Sequence, residues 1–220
     1  MSKLRFPSSV SDESELYGRK AELEKIIHEF SVRHNQELGE LIIKILGYLK
    51  EKAKGTSQEA EAKKDYEDFS SNYEATKNET VSTLTEEEQK NLKDNYRKAS
   101  KLCHPDVVDE DQKETAHKIF SELNAAYQRN DAKRVAEILN ELQHGKTFTS
   151  KADTTNEKQT LLSELKRLRI RLQQLIDAIT AIKTSDIFEK IIRISDWDEY
   201  FSKTKQQLQD QLTQLENERK

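Results

Sequence analysis

One cysteine in 220 residues leaves no disulfide to be formed within the chain and no thiolate set for a zinc module. Two prolines and five glycines are too few to punctuate a series of short strands, so the composition leans towards long helices. No apolar run approaches the roughly 20 residues that a membrane span requires. Met1-Ser2-Lys3-Leu4-Arg5-Phe6-Pro7 is not followed by the apolar core of a signal peptide. The expected setting is therefore a reducing compartment, most simply the cytoplasm. Hydrophobic residues make up 34%, low for one large globule, which points to one or two small cores with much solvated helical surface. The net charge of -4 argues against a general nucleic-acid binder, although single helix faces can still be basic.

What the chain does have is a well-marked helix ending in a distinctive turn. Thr85-Glu86-Glu87-Glu88 fits a capping box, in which the hydroxyl accepts from a first-turn amide and the fourth residue reaches back. At about 100° per residue, Leu92, Tyr96, Ala99, Leu102 and Cys103 gather on one side, and Lys90, Lys93, Arg97 and Lys101 on the other. One face is expected to pack while the other forms a cationic stripe. Pro105 pushes His104 out of the helical region, so the helix should stop near Cys103, with His104 and Asp106 at the tip of an exposed turn. Downstream, Ala116, Ile119, Phe120, Leu123, Ala126 and Tyr127 recur at spacings of three and four. This predicts a second helix packed antiparallel to the first.

With these elements in register, the sequence resembles the J domain of the DnaJ (Hsp40-type) co-chaperone family. The resemblance is carried by Leu92, by Tyr96-Arg97-Lys98, by His104-Pro105-Asp106 and by Phe120-Ser121-Glu122-Leu123-Asn124-Ala125-Ala126-Tyr127. It covers roughly the middle third of the chain. Asn130 to Leu139 resembles the short fourth helix that closes many members, and His144-Gly145 suits a helix stop. Two features depart from the family pattern. No Leu-Gly occurs between Gly55 and Thr85, and Cys103 stands where an aromatic residue is common.

The resemblance implies that the basic face, with Lys90, Lys93, Arg97, Lys98 and Lys101, docks on a DnaK-type chaperone in its ATP state. It implies further that His104, Pro105 and Asp106 contact the joint between that partner's nucleotide and substrate domains, favouring ATP hydrolysis. Neither the zinc module nor a Gly/Phe-rich stretch is present, which suits a specialised member that recruits the chaperone to one client.

The flanks complete the expected architecture. It is all-α: a J-domain-like helical hairpin (57–145) between an N-terminal helical segment (1–56) and, after a linker (146–156), a C-terminal antiparallel coiled-coil hairpin (157–220). From Asp12, the run Leu16, Leu23, Ile26, Ile27, Phe30, Leu38, Leu41, Ile42, Ile45, Leu46 and Leu49 is helical, as one long helix or as two bending near Arg33 to Gly39. Its second half needs a cover, from the J-like segment or the C-terminal helices. Ser57 to Lys77 carries Tyr66, Phe69 and Tyr73 along one side. Leu161, Leu165, Leu168, Leu172, Leu175, Ile179 and Ile182 form a coiled-coil seam. A last helix bears Trp197, Phe201, Leu208, Leu212 and Leu215, so the seam is met either by folding back or by a second copy of the chain.

The sequence contains no Gly-rich phosphate loop, no nucleophile elbow and no residues at metal-ligand spacing, so neither a cofactor nor catalysis by the chain itself is expected. His28, His34, His117 and His144 sit singly on helical patterns. Lys166, Arg167, Arg169 and Arg171 read as a solvated face rather than a nucleic-acid site. The rival to the co-chaperone reading is a coiled-coil scaffold or adaptor whose J-like segment is inactive.

Overall fold

The computed structural model joins the whole N-terminal pattern into one helix, α1 (Val10–Lys52), which settles the choice between one helix and two. The structure describes residues 10–105, 108–144, 148 and 158–218, with side chains described from Glu15 in α1 and from Leu165 in α6. Residues 1–9, nearly all of the 146–156 linker and Asp106 therefore lie outside the described residues. After α1 come α2 (Glu59–Thr76), α3 (Glu86–Cys103), α4 (Lys113–Gln128), α5 (Ala132–His144), α6 (Lys158–Lys183), α7 (Asp186–Arg193) and α8 (Trp197–Glu218). The protein is all-α. Among the described residues, no helix is long and apolar enough to cross a membrane.

The chain divides into two compact units, neither of them a continuous stretch. One takes α1 as far as Ile27 together with Val81–Phe188; the other takes His28–Thr80 and Glu189–Lys220.

In the first unit, α3, α4 and α5 share a core of Leu92, Tyr96, Ala99, Cys103, Leu123, Ala126, Tyr127, Val135, Ile138 and Leu142, joined by Ala21 of α1. The Tyr96 and Tyr127 rings stack at 4.2 Å, and the Tyr96 hydroxyl donates to Asn124 Oδ1 at 2.6 Å. The turn between α4 and α5 is built by Asn130, which takes a positive φ of 59°. Its N–H donates to Tyr127 O, and that of Asp131 donates to Ala126 O, the paired bonds of a Schellman stop. Asparagine tolerates this left-handed conformation better than most residues. Asp131 then starts α5 by accepting from the Arg134 amide at 2.9 Å.

Of the described residues of the predicted seam on α6, Leu172, Leu175 and Ile179 are buried, whereas Leu165 is exposed. Ile179 packs with Leu23 of α1 and Phe188 of α7, so α1 meets this seam in addition to the fold-back or second copy that the heptad pattern suggests.

In the second unit, the later part of α1 is covered by α8, a C-terminal helix, and by α2, which lies within the 57–145 segment, so both of the covers offered are used. The Phe30 ring lies 5.2 Å from Phe201 and 5.4 Å from Trp197, while Arg33 sits over Phe201 and donates to Asp198 Oδ1 at 2.6 Å. Phe201 is fully buried. Gly39 has a packing reason to be in a helix: the Tyr73 ring of α2 occupies the space that a Cβ would need. Lys54 to Ser57 forms the expected turn, with Gly55 at φ +76°.

Candidate functional site

The capping box at the start of α3 forms as expected. Thr85 N–H donates to Glu88 Oε2 at 2.8 Å, and Glu88 N–H donates to Thr85 Oγ1 at 3.3 Å. The Thr85 N–H, together with the Thr85 hydroxyl donating to the same carboxylate oxygen at 2.9 Å, holds the Glu88 carboxyl below its ordinary pKa. The helix buries Leu92, Tyr96, Ala99, Ser100 and Cys103, whereas Leu102 is 40% exposed. Leu102 lies about 100° round the helix from Cys103, beyond the strip that α4 and α5 cover. Burial raises the pKa of the Cys103 thiol to about 12, and that of the Tyr96 phenol upwards as well.

At the end of α3 the backbone of His104 is extended, with φ -66° and ψ 129°, as the following Pro105 requires. Its N–H closes the helix by donating to Ser100 O at 3.1 Å.

The His104 side chain departs from expectation. Rather than projecting from an exposed tip, the residue is only 9% exposed. Its ring lies 4.1 Å from that of Tyr17 on α1 and 4.7 Å from that of Phe120 on α4, the latter edge to face. An imidazole at the end of a helical hairpin offers two flat faces, and a third helix passing alongside can cover one.

The cationic stripe is likewise divided. Lys90, Lys98 and Lys101 are exposed. Lys93 Nζ lies 2.5 Å from Glu22 Oε1 of α1, and an Arg97 guanidinium nitrogen lies 3.6 Å from the same oxygen. Gly18 presses its backbone on the Arg97 side chain, where a Cβ would lie 3.0 Å from Nε. Lys25 Nζ sits 5.1 Å above the Tyr127 ring. The structure thus brings His104, Lys93 and Arg97 together beside α1 and leaves Lys90, Lys98 and Lys101 facing outwards. Tyr17 and Glu22 are the site residues that sequence reasoning misses. The available signal was an acidic residue five positions beyond an aromatic on the N-terminal helix, opposite in sign to the stripe but some 70 positions away from it.

In chemical terms the arrangement suits the recognition of an acidic partner. Among the described residues, no group of three or more His, Cys, Asp or Glu is placed to hold a metal ion. Cations on half-exposed stems can steer an acidic partner, and an extended turn can present backbone and imidazole to it.

No curated protein and no solved structure matches the chain. Residues 80–135, which take in α3, α4 and the first turn of α5, match the family model of the DnaJ domain. The segment that carries His104 and the cationic stripe is a J domain.

Proposed function

We propose that the protein is a co-chaperone that docks on a DnaK-type chaperone in its ATP state, stimulates ATP hydrolysis by that partner and brings it to a particular client. The observation that carries this reading is the extended, proline-braced His104 at the end of a cation-lined helix, within a segment that matches the DnaJ domain. Lys90, Lys98 and Lys101 supply long-range attraction that salt screens. Asp106 offers a carboxylate suited to a forked pair of hydrogen bonds from an arginine of the partner. The chain supplies no group to the phosphate, so any acceleration is a shift in the partner's conformational populations. The reading sets this activity in the cytoplasm, where Cys103 stays a thiol.

Client recruitment falls to the flanks. Leu165, Ile170 and Ile187 remain exposed in the first unit and offer apolar side chains to a client or a second copy of the chain.

The test is single-turnover ATP hydrolysis by a DnaK-type chaperone with and without the full chain. We expect stimulation by wild type and its loss, by about tenfold or more, on His104→Gln. Equal turnover with both would sink the co-chaperone reading. One observation favours the rival, a scaffold whose J domain is inactive: His104, Lys93 and Arg97 are all engaged by α1. The same assay separates the two.

A further inference from the structure

We infer that the first half of α1 is an intramolecular cover over the chaperone-docking face of the J domain, so that the protein is held in a low-activity state until this helix is displaced. The inference rests on the co-chaperone reading and concerns how that site is regulated.

The cover is specific in its contacts. Tyr17, Gly18, Ala21, Glu22 and Lys25 fall within about 140° of one another around α1, so they form a single face at spacings of one, three and four. Each residue of that face meets the J domain. Tyr17 lies on the imidazole of His104, and Gly18 allows the backbone to approach Arg97. Ala21 enters the core, Glu22 faces Lys93 and Arg97, and Lys25 sits on Tyr127.

The opposite face carries Leu16, Leu23 and Ile27, which pack with Ile179, Ile182 and Phe188. The helix is therefore held from behind by α6 and α7 as well as from in front. Glu22 supplies the charge that an acidic partner surface would bring, and Tyr17 covers the ring that such a partner would reach. The chain is its own pseudo-ligand.

The polar and ring contacts on the J-domain side are individually weak. Glu22, Lys93 and Arg97 are each about one-third exposed, with side chains at 32%, 40% and 36%. Ion pairs of this kind contribute little, and one stacked ring adds a modest amount. Since apparent affinity falls with the uncovered fraction, removing these contacts should tighten apparent affinity by about tenfold. The exposed Lys90, Lys98 and Lys101 would meanwhile still attract the partner to the covered face.

The test uses the full chain in four forms: wild type, Tyr17→Ala/Glu22→Lys, and each of these with His104→Gln. Ala21 is left alone because it belongs to the core. We expect the double variant to reach half-maximal ATPase stimulation at about tenfold lower concentration than wild type, and His104→Gln to abolish stimulation in both backgrounds. In wild type, amide hydrogen exchange of residues 15–27 should accelerate when ATP-loaded DnaK-type chaperone is added. If wild type and the double variant stimulate equally and both depend on His104, the cover is refuted and the co-chaperone reading stands. If no form stimulates or binds the chaperone, both fall. Should the double variant lose its helical signal, wild-type exchange decides: a bound chaperone with residues 15–27 still protected overturns the inference.

Discussion

Gly39 and Gly47 both lie inside α1, and a helix-interior glycine ordinarily costs about 1 kcal/mol relative to alanine. Their surroundings give them opposite signs. At Gly47 the nearest atom to a Cβ would be Tyr66 Cε2 at 3.7 Å, ordinary contact, so Gly47→Ala should stabilise by up to about 1 kcal/mol. At Gly39 the Cβ would run into the Tyr73 ring, which would have to leave its place on the helix. Gly39→Ala is expected to lower the urea midpoint in the wild-type background and to raise it in Tyr73→Ala, where the space is open. A double-mutant cycle reads the difference as a coupling energy, and additivity within about 0.5 kcal/mol would contradict the packing described. His104 makes the same point about neighbours. Its backbone conformation follows from Pro105, but its burial follows from Tyr17 and Phe120, residues nothing local could supply.

Between elements, the J domain is held by buried apolar surface more than by ion pairs. Arg134 of α5 reaches Glu122 of α4 at 2.8 Å and also Glu137 and Glu141, a four-residue cluster at the surface. Such exposed pairs contribute about 0–1 kcal/mol, so Arg134→Ala should cost no more than about 1 kcal/mol. Leu123 has no exposure and lies in the shared core of α3, α4 and α5. Leu123→Ala should cost about 2–5 kcal/mol, through lost transfer energy and the cavity left behind. Chemical denaturation of the two variants checks the order: a larger loss for Arg134 than for Leu123 would contradict this account of what holds the helices together. The helices are also closed by local chemistry, at Thr85 for the start of α3 and at Asn130 for the reversal into α5.

For the molecule as a whole, the ionisable groups inside the J-domain core make stability depend on alkaline pH. Cys103 is raised from an ordinary value near 9 to about 12, and Tyr96 is raised in the same direction, both chiefly by burial. Below about pH 9 the thiol is protonated in folded and unfolded chains alike, and its contribution is complete. Between about 9 and 12 the unfolded chain loses the proton while the folded one keeps it, so stability falls by about 1.4 kcal/mol per pH unit over that window. Above about 12 the loss is complete. Urea midpoints measured from pH 8 to 11 should therefore fall, and Cys103→Ala should flatten the fall relative to wild type. Unchanged slopes in the two proteins would mean that the thiol is not buried as described.

The sequence by itself determined the local features: the Thr85 cap, the stop at Cys103, most of the apolar faces of α3 and α4, the fourth helix and the extended backbone of His104 before Pro105. Each depends on residues within a few positions of one another, where helical periodicity, proline geometry and capping act directly. Whether α1 is one helix or two, what its later part packs on and what meets the seam of α6 were decided only in the tertiary structure. Apolar faces are interchangeable partners until chain geometry chooses between them. The tertiary structure also decided that His104 lies under Tyr17 and that Glu22 takes two cations from the stripe. An amphipathic pattern states that a face must be covered, and only the folded chain states by what.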